Sequence, residues 1–144
     1  MKLSTRGRYG IHAMFDLALQ YSSGIPQPTK AIAERERIPD AYLEQLIATL
    51  RKAGLVTSVR GAQGGYMLAR SPQAITVGEI LRVMEGELAS VDCLEEANVC
   101  DKACACPTRL VWQKIHTGVN AIVDGITLAD MLNDYAQMRG EETK

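Results

Sequence analysis

Apolar positions along this chain recur mostly at helical spacing and alternate only briefly. Between Thr5 and about Tyr21, the residues Ile11, Met14, Ala18 and Tyr21 fall on one side of a helix. Gly24-Ile25-Pro26-Gln27-Pro28 breaks that pattern, because proline restricts its own backbone and that of the preceding residue. A short second helix is predicted over Lys30 to Arg37 with Thr29 as its cap, and the turn Ile38-Pro39-Asp40 follows, with Asp40 as the next cap. The third helix buries Leu43, Leu46, Ile47 and Leu50 and stops at Ala53-Gly54-Leu55. Two β-compatible runs, Val56 to Arg60 and Tyr66 to Arg70, flank the glycine-rich turn 61–65. Helix, short helix, helix and hairpin is the order of a winged helix-turn-helix, so the fold class is mainly α with a β-hairpin wing.

Beyond the Ser71-Pro72 seam, Thr76-Val77-Gly78-Glu79 has capping-box spacing and opens a helix to about Glu85. Residues 86–105 show no clean periodicity. From Pro107 a longer helix carries Val111, Ile115, Val119 and Ile122 as its buried side. Gly125 interrupts it, and Thr127 caps a last helix with Leu128, Met131, Leu132 and Tyr135 on one face. This organisation predicts a DNA-binding domain over 1–72, a second unit over 73–138, and a flexible tail over 139–144.

Charge changes the picture more than composition does. The net charge is −1, but residues 1–70 carry a balance of +5 and residues 71–144 one of −6. A basic half and an acidic half predict that one faces a polyanion. On the third helix the exposed face is Tyr42, Glu44, Gln45, Thr49 and Arg51. In the major groove Gln45 can pair with adenine, Glu44 can accept from cytosine, and Tyr42 or Thr49 can reach phosphate. At the hairpin, Arg60 suits insertion into a narrow minor groove, and Gly61 and Gln63 lie beside it. The turn glycines at 61, 64 and 65 are expected to let this backbone approach the duplex. Lys2, Arg6 and Arg8 are further phosphate candidates. Taken singly, each of these side chains reads as well as a solvated surface group; taken together they indicate double-stranded DNA.

All the cysteines, Cys93, Cys100, Cys104 and Cys106, lie within one short segment among Asp92, Glu95, Glu96, Asp101 and Lys102. Packing would spread thiols over apolar faces, so this clustering points to chemistry. An iron–sulfur cluster, a thiol redox switch and zinc all suit converging thiolates, and the spacing lacks the paired Cys-x-x-Cys of a zinc ribbon. His12 and His116 read as structural. No apolar run reaches the roughly 18 residues of a membrane span, and no signal-peptide pattern follows the basic start, so a cytoplasmic protein with reduced thiols is expected. A nucleotide-binding glycine motif after a strand is also missing, so neither an enzyme nor a small-molecule substrate is predicted.

The start Met-Lys-Leu-Ser-Thr-Arg-Gly-Arg-Tyr-Gly, the stretch Tyr42 to Leu46, Leu50 to Val56 and the wing Ser58 to Leu68 resemble the IscR-type winged-helix regulators, over residues 1 to about 132. The founding member represses iron–sulfur cluster assembly genes. That resemblance implies a homodimeric repressor on a two-fold operator, packed through the helix from about Pro107 to Val123, and makes 73–138 the cluster-binding loop and dimerisation helices. It also implies a [2Fe–2S] cluster held by three cysteines and a histidine, which match Cys93, Cys100 and Cys106 for the thiolates. The histidine position is Arg109 here, and a guanidinium is a poor ligand. Cys104, an acidic side chain or a group from the partner is then the candidate fourth ligand. A [4Fe–4S] cluster, as in the nitric-oxide-sensing relatives, is the alternative.

Overall fold

The computed structural model describes residues 2–96 and 105–142. Seven α-helices and one hairpin are described: α1 Thr5–Leu19, α2 Thr29–Glu36, α3 Asp40–Lys52, β1 Val56–Val59, β2 Gly65–Leu68, α4 Val77–Glu85, α5 Asp92–Glu95, α6 Pro107–Asp124 and α7 Leu128–Glu142. A short 3₁₀ turn, Tyr21–Ser23, closes α1, so Tyr21 leaves the predicted stripe and is exposed. The face that α1 does bury is Ala13, Met14, Leu17 and Ala18, joined by Gly7 and Gly10. Helix α4 crosses there so closely that a Cβ on Gly10 would lie 2.6 Å from Met84 Cγ.

The caps differ from expectation in two places. Thr29 and Asp40 are the first residues of α2 and α3, and the cap positions are Pro28 and Pro39, which make no side-chain capping bond. Each Xaa-Pro step already holds the entering backbone extended, and the proline carbonyls take up the first amides. Elsewhere the sequence pattern holds. Thr76 and Glu79 form a full capping box, and Thr127 and Asp130 exchange the equivalent pair of bonds at α7. Helix α7 runs to Glu142, so the frayed tail expected from Arg139 is helical through that point.

One buried cluster runs through both halves of the chain. Met14 and Leu17 of α1, Leu43, Ile47 and Leu50 of α3, Ile80 of α4 and Leu128 of α7 all belong to it. Inside this cluster sits a carboxylate: Asp16 is 2% exposed, and Arg35 grips it with Nε at 2.9 Å and a terminal nitrogen at 2.8 Å. The same guanidinium donates to Gln27 Oε1 at 2.8 Å, which ties α1, the 26–28 turn and α2 together.

The hairpin pairs Val56 with Leu68 and Val59 with Gly65, antiparallel. The strands are shorter than predicted, and Arg60, Ala69 and Arg70 lie outside them. Two of the turn glycines serve the hairpin itself rather than the approach to a duplex. A Cβ on Gly64 would lie 2.2 Å from the Val59 carbonyl oxygen, and one on Gly65 would lie 2.4 Å from the Gln27 backbone. Residue 27 bridges Tyr66 there through two backbone bonds of 2.8 and 2.9 Å. Only Gly61, at φ +107° with open space around it, is free in the way the sequence suggests. Gly65→Ala is therefore expected to cost about 1–3 kcal/mol, since rigid backbone faces the new methyl. Urea unfolding would show it; at Gly61 nothing lies within 4 Å, and only its φ of +107° opposes a side chain.

Candidate nucleic-acid interface and cysteine site

Helix α3 buries Leu43, Leu46, Ile47 and Leu50, and this sets which side faces out. Glu44, Gln45 and Arg51 are exposed on that side, as predicted. Tyr42 and Thr49 are only half-exposed, and both are engaged. The Tyr42 ring meets Tyr9 edge-on at 5.7 Å, and the Thr49 hydroxyl donates to the Gln45 carbonyl at 3.0 Å. Arg6 donates to Thr49 Oγ1 at 3.4 Å, so the basic start of α1 lies beside the middle of α3. Lys2, Arg6 and Arg8 are all exposed. Arg60, Gly61 and Gln63 are exposed in the turn of the hairpin. Lys30, not among the predicted contacts, is exposed at the first turn of α2.

The second site is built on the junction of α5 and α6. Cys106 stands immediately before Pro107, at the amino end of α6, where unpaired backbone amides favour negative charge. The Thr108 hydroxyl lies 2.9 Å from Cys106 Sγ. That contact, with the Arg109 amide behind it, lowers the thiol below its ordinary range despite the opposing effect of burial. Cys93 is half-buried and lies in the short helix α5 rather than in a loop. Arg109 Nε donates to the Cys93 carbonyl at 3.5 Å, so the residue at the histidine position joins the two cysteine-bearing segments instead. Cys100 and Cys104 lie outside the described residues. Among the described residues no three histidine, cysteine or acidic side chains converge on a metal position.

Helix α6 is clamped to the rest of the chain by polar contacts. Arg82 of α4 donates to Asp124 at 2.7 and 2.8 Å and also bonds Asn120. His116 Nδ1 lies 2.9 Å from the Leu88 carbonyl, which binds the middle of α6 to the 86–91 segment. The predicted buried side of α6 is largely uncovered within this chain, with only Val119 half-buried among its four residues. Val111, Ile115 and Ile122 are exposed, as are Leu110 and Trp112. The helix contacts α4 through Arg82 and its partners and leaves its apolar side open.

Comparisons with known proteins place the chain among transcription regulators. The family described as "Rrf2: Iron-dependent Transcriptional regulator" matches residues 3–134. The HTH-type transcriptional regulator CymR of Bacillus subtilis is 43% identical over 91% of this chain and 89% of its own length. The HTH-type transcriptional regulator IscR of Aliivibrio salmonicida is 39% identical over 93% of this chain and 79% of its own. Among solved structures, T. potens IscR superposes with a TM-score of 0.77 at 50% identity, covering 94% of this chain and 88% of that one. The global cysteine regulator CymR of B. subtilis gives 0.76 at 40% identity, covering 91% and 95%.

Proposed function

This chain belongs to the Rrf2 family of transcription regulators and is no enzyme; on that footing we propose a cytoplasmic homodimeric repressor of iron–sulfur assembly genes that senses through a cysteine-held iron–sulfur cluster. Its target is double-stranded DNA with a two-fold operator. The observation that carries the sensing part is the Cys106 thiol, held toward thiolate at the start of α6 and linked through Arg109 to the Cys93 segment. Thiolate is the form that binds iron, so this donor chemistry fits the group. Cys93, Cys100 and Cys106 would hold the cluster, with Cys104 as the fourth ligand in place of the missing histidine. When bound, a [2Fe–2S] cluster supplies a charge and a stability that respond to iron and oxidant; a [4Fe–4S] cluster is the alternative in an all-cysteine site.

The residues of the chain supply the rest. Thr108 and the amide of Arg109 lower the pKa of the Cys106 thiol. Arg82, bonded to Asp124, carries any shift of α6 to α4. Helix α4 lies on α1 through Gly10, and α1 meets α3 through the Tyr9–Tyr42 ring pair. A ligand at the cysteine site changes DNA affinity only by favouring one arrangement of these contacts, and DNA then changes affinity for that ligand equally. On the duplex, Gln45 and Glu44 face base edges, Arg60 enters the minor groove, and Lys2, Arg6 and Arg8 neutralise phosphates.

Two measurements test this reading. Protein purified without oxygen is expected to show the visible absorbance of an iron–sulfur cluster, and Cys106→Ser should lose it with bound iron and sulfide. A colourless protein containing zinc would overturn it. A second reading, a thiol redox sensor without a cluster, is favoured by the same activated Cys106; it predicts reversible oxidation of that thiol in a colourless, metal-free protein. For the reader, Gln45→Ala and Arg60→Ala should each weaken operator binding by about 1–3 kcal/mol in a titration at fixed salt. Unchanged affinity in both variants would remove the assignment of these groups to the grooves.

A further inference from the structure

A cleft of about 450 Å³ lies between α1 and α7, lined by neither Cys93 nor Cys106. That is within the usual size range of small-molecule sites. Its walls are aromatic and aliphatic. Phe15 and Tyr135 stand edge-to-face at 5.4 Å, and Ile11, Met131 and Met138 line the remainder. Methionine side chains adapt to ligands of different shape, and Met138 is 63% exposed at the mouth.

Among the described residues the charged or titratable side chains lining the cleft are two carboxylates, Glu36 and Asp134, and one imidazole, His12, whose Nδ1 lies 3.2 Å from Glu36 Oε2. The Glu36 side chain is only 16% exposed. Burial, with the negative charge of Asp16 behind it, raises its pKa above the ordinary carboxylate value, against the opposing pull of His12 and Arg35. A cation placed in the cleft would oppose that shift, whereas a second anion would add to it. The Tyr135 ring already accepts a cation, Arg139 at 5.8 Å from its centre, and an ammonium ligand would take the place of that guanidinium on the ring face.

We propose that this cleft is an effector site for a small organic cation with an apolar body, such as an aryl or alkyl ammonium. The position links it to the reader. Glu36 ends α2, the first helix of the helix-turn-helix, while α1 carries Arg6 and Arg8. An occupant between α1 and α7 that favours one packing of these helices alters operator affinity by the same factor as operator alters its binding. The site shares no residue with the cysteine site, so it stands whether or not a cluster is bound.

The test uses the full chain and three probes of similar size: phenyltrimethylammonium, the neutral benzyl alcohol and the anionic benzenesulfonate. Calorimetric titration is expected to show the cation binding at least about tenfold more tightly than the alcohol, with no binding of the sulfonate. Glu36→Gln should weaken the cation by about tenfold and leave benzyl alcohol unchanged. Its unfolding midpoint should not fall, because burial already disfavours the carboxylate. Tyr135→Ala should weaken both the cation and the alcohol. Equal affinities for cation and alcohol, or a cation affinity untouched by Glu36→Gln and Asp134→Asn, would overturn the proposal. Cys106→Ser serves as a control, since it disables the cysteine site and should bind the cation as the parent does.

Discussion

Ile115→Glu is expected to raise the dissociation constant of the proposed homodimer by about a hundredfold or more, which corresponds to about 3 kcal/mol. Helix α6 has 18 residues, so it extends about 27 Å. Along it Val111, Ile115 and Ile122 lie on one side, and they are 48%, 45% and 65% exposed in the single chain. Apolar surface in such a row is what a self-complementary interface buries. Ile115 sits near the centre of the helix, so a carboxylate there would be desolvated against apolar groups with nothing to pair it. The expected result is a monomer in sedimentation equilibrium at concentrations where the parent is dimeric. Operator affinity should fall with it, because two linked readers bind a two-fold site far more tightly than one. The fold of the single chain should survive, since Ile115 is outside the buried cluster and the far-ultraviolet circular dichroism should not change. Lys114→Glu, on the neighbouring exposed position, is the control for charge alone. A dimeric Ile115→Glu protein would mean that α6 is not the interface.

Arg35→Ala is expected to cost about 3 kcal/mol of folding stability. Asp16 is inside the core, and its carboxylate has two bonds to Arg35 as its hydrogen-bond partners among the described residues. Removing the guanidinium leaves a buried charge uncompensated and also frees Gln27 Oε1. The Arg35 side chain is itself 39% exposed, so water can enter the vacated space, which places the cost at the lower end for buried ion pairs. Urea unfolding should therefore show a large drop in midpoint. Asp16→Leu in the Arg35→Ala background should recover part of the loss, because the unpaired charge is then gone. Loss of equal size in the single and the double variant would show that packing of the arginine stem, and not the charge, sets the energy.

The two lesions should also separate function from folding. Ile115→Glu attacks the assembly and leaves each reader intact. Arg35→Ala loosens the α1–α2 packing on which the reader depends, and it should reduce operator affinity even at temperatures where the protein stays folded.

How much of this was legible in the sequence differs from element to element. The reader was. The apolar positions of α3 have one helical solution, and burying Leu43, Leu46, Ile47 and Leu50 leaves Glu44, Gln45 and Arg51 outside without further choice. The capping boxes at Thr76 and Thr127 are local motifs as well, satisfied within one turn. The row of apolar residues on α6 was equally plain, but burial within the chain was the wrong inference. Periodicity shows that a face is apolar and does not say which surface covers it. The clustering of cysteines was visible too, since proximity in sequence requires no fold.

What the tertiary structure decided are the contacts between distant residues. Asp16 and Arg35, 19 residues apart, meet because α2 packs against α1 beside the buried carboxylate. Gly65 is needed because residue 27 lies against it, a reason absent from the turn sequence itself. Arg109 looks like a defect in a ligand set until the fold puts its guanidinium on the Cys93 carbonyl. The α1–α7 cleft joins Glu36 to Tyr135 across about two-thirds of the chain. Local propensity and periodicity act over a few residues and can be read directly from the chain. Pairings across long separations exist only after the core has paid the entropy of bringing the helices together, so only the folded chain reveals them.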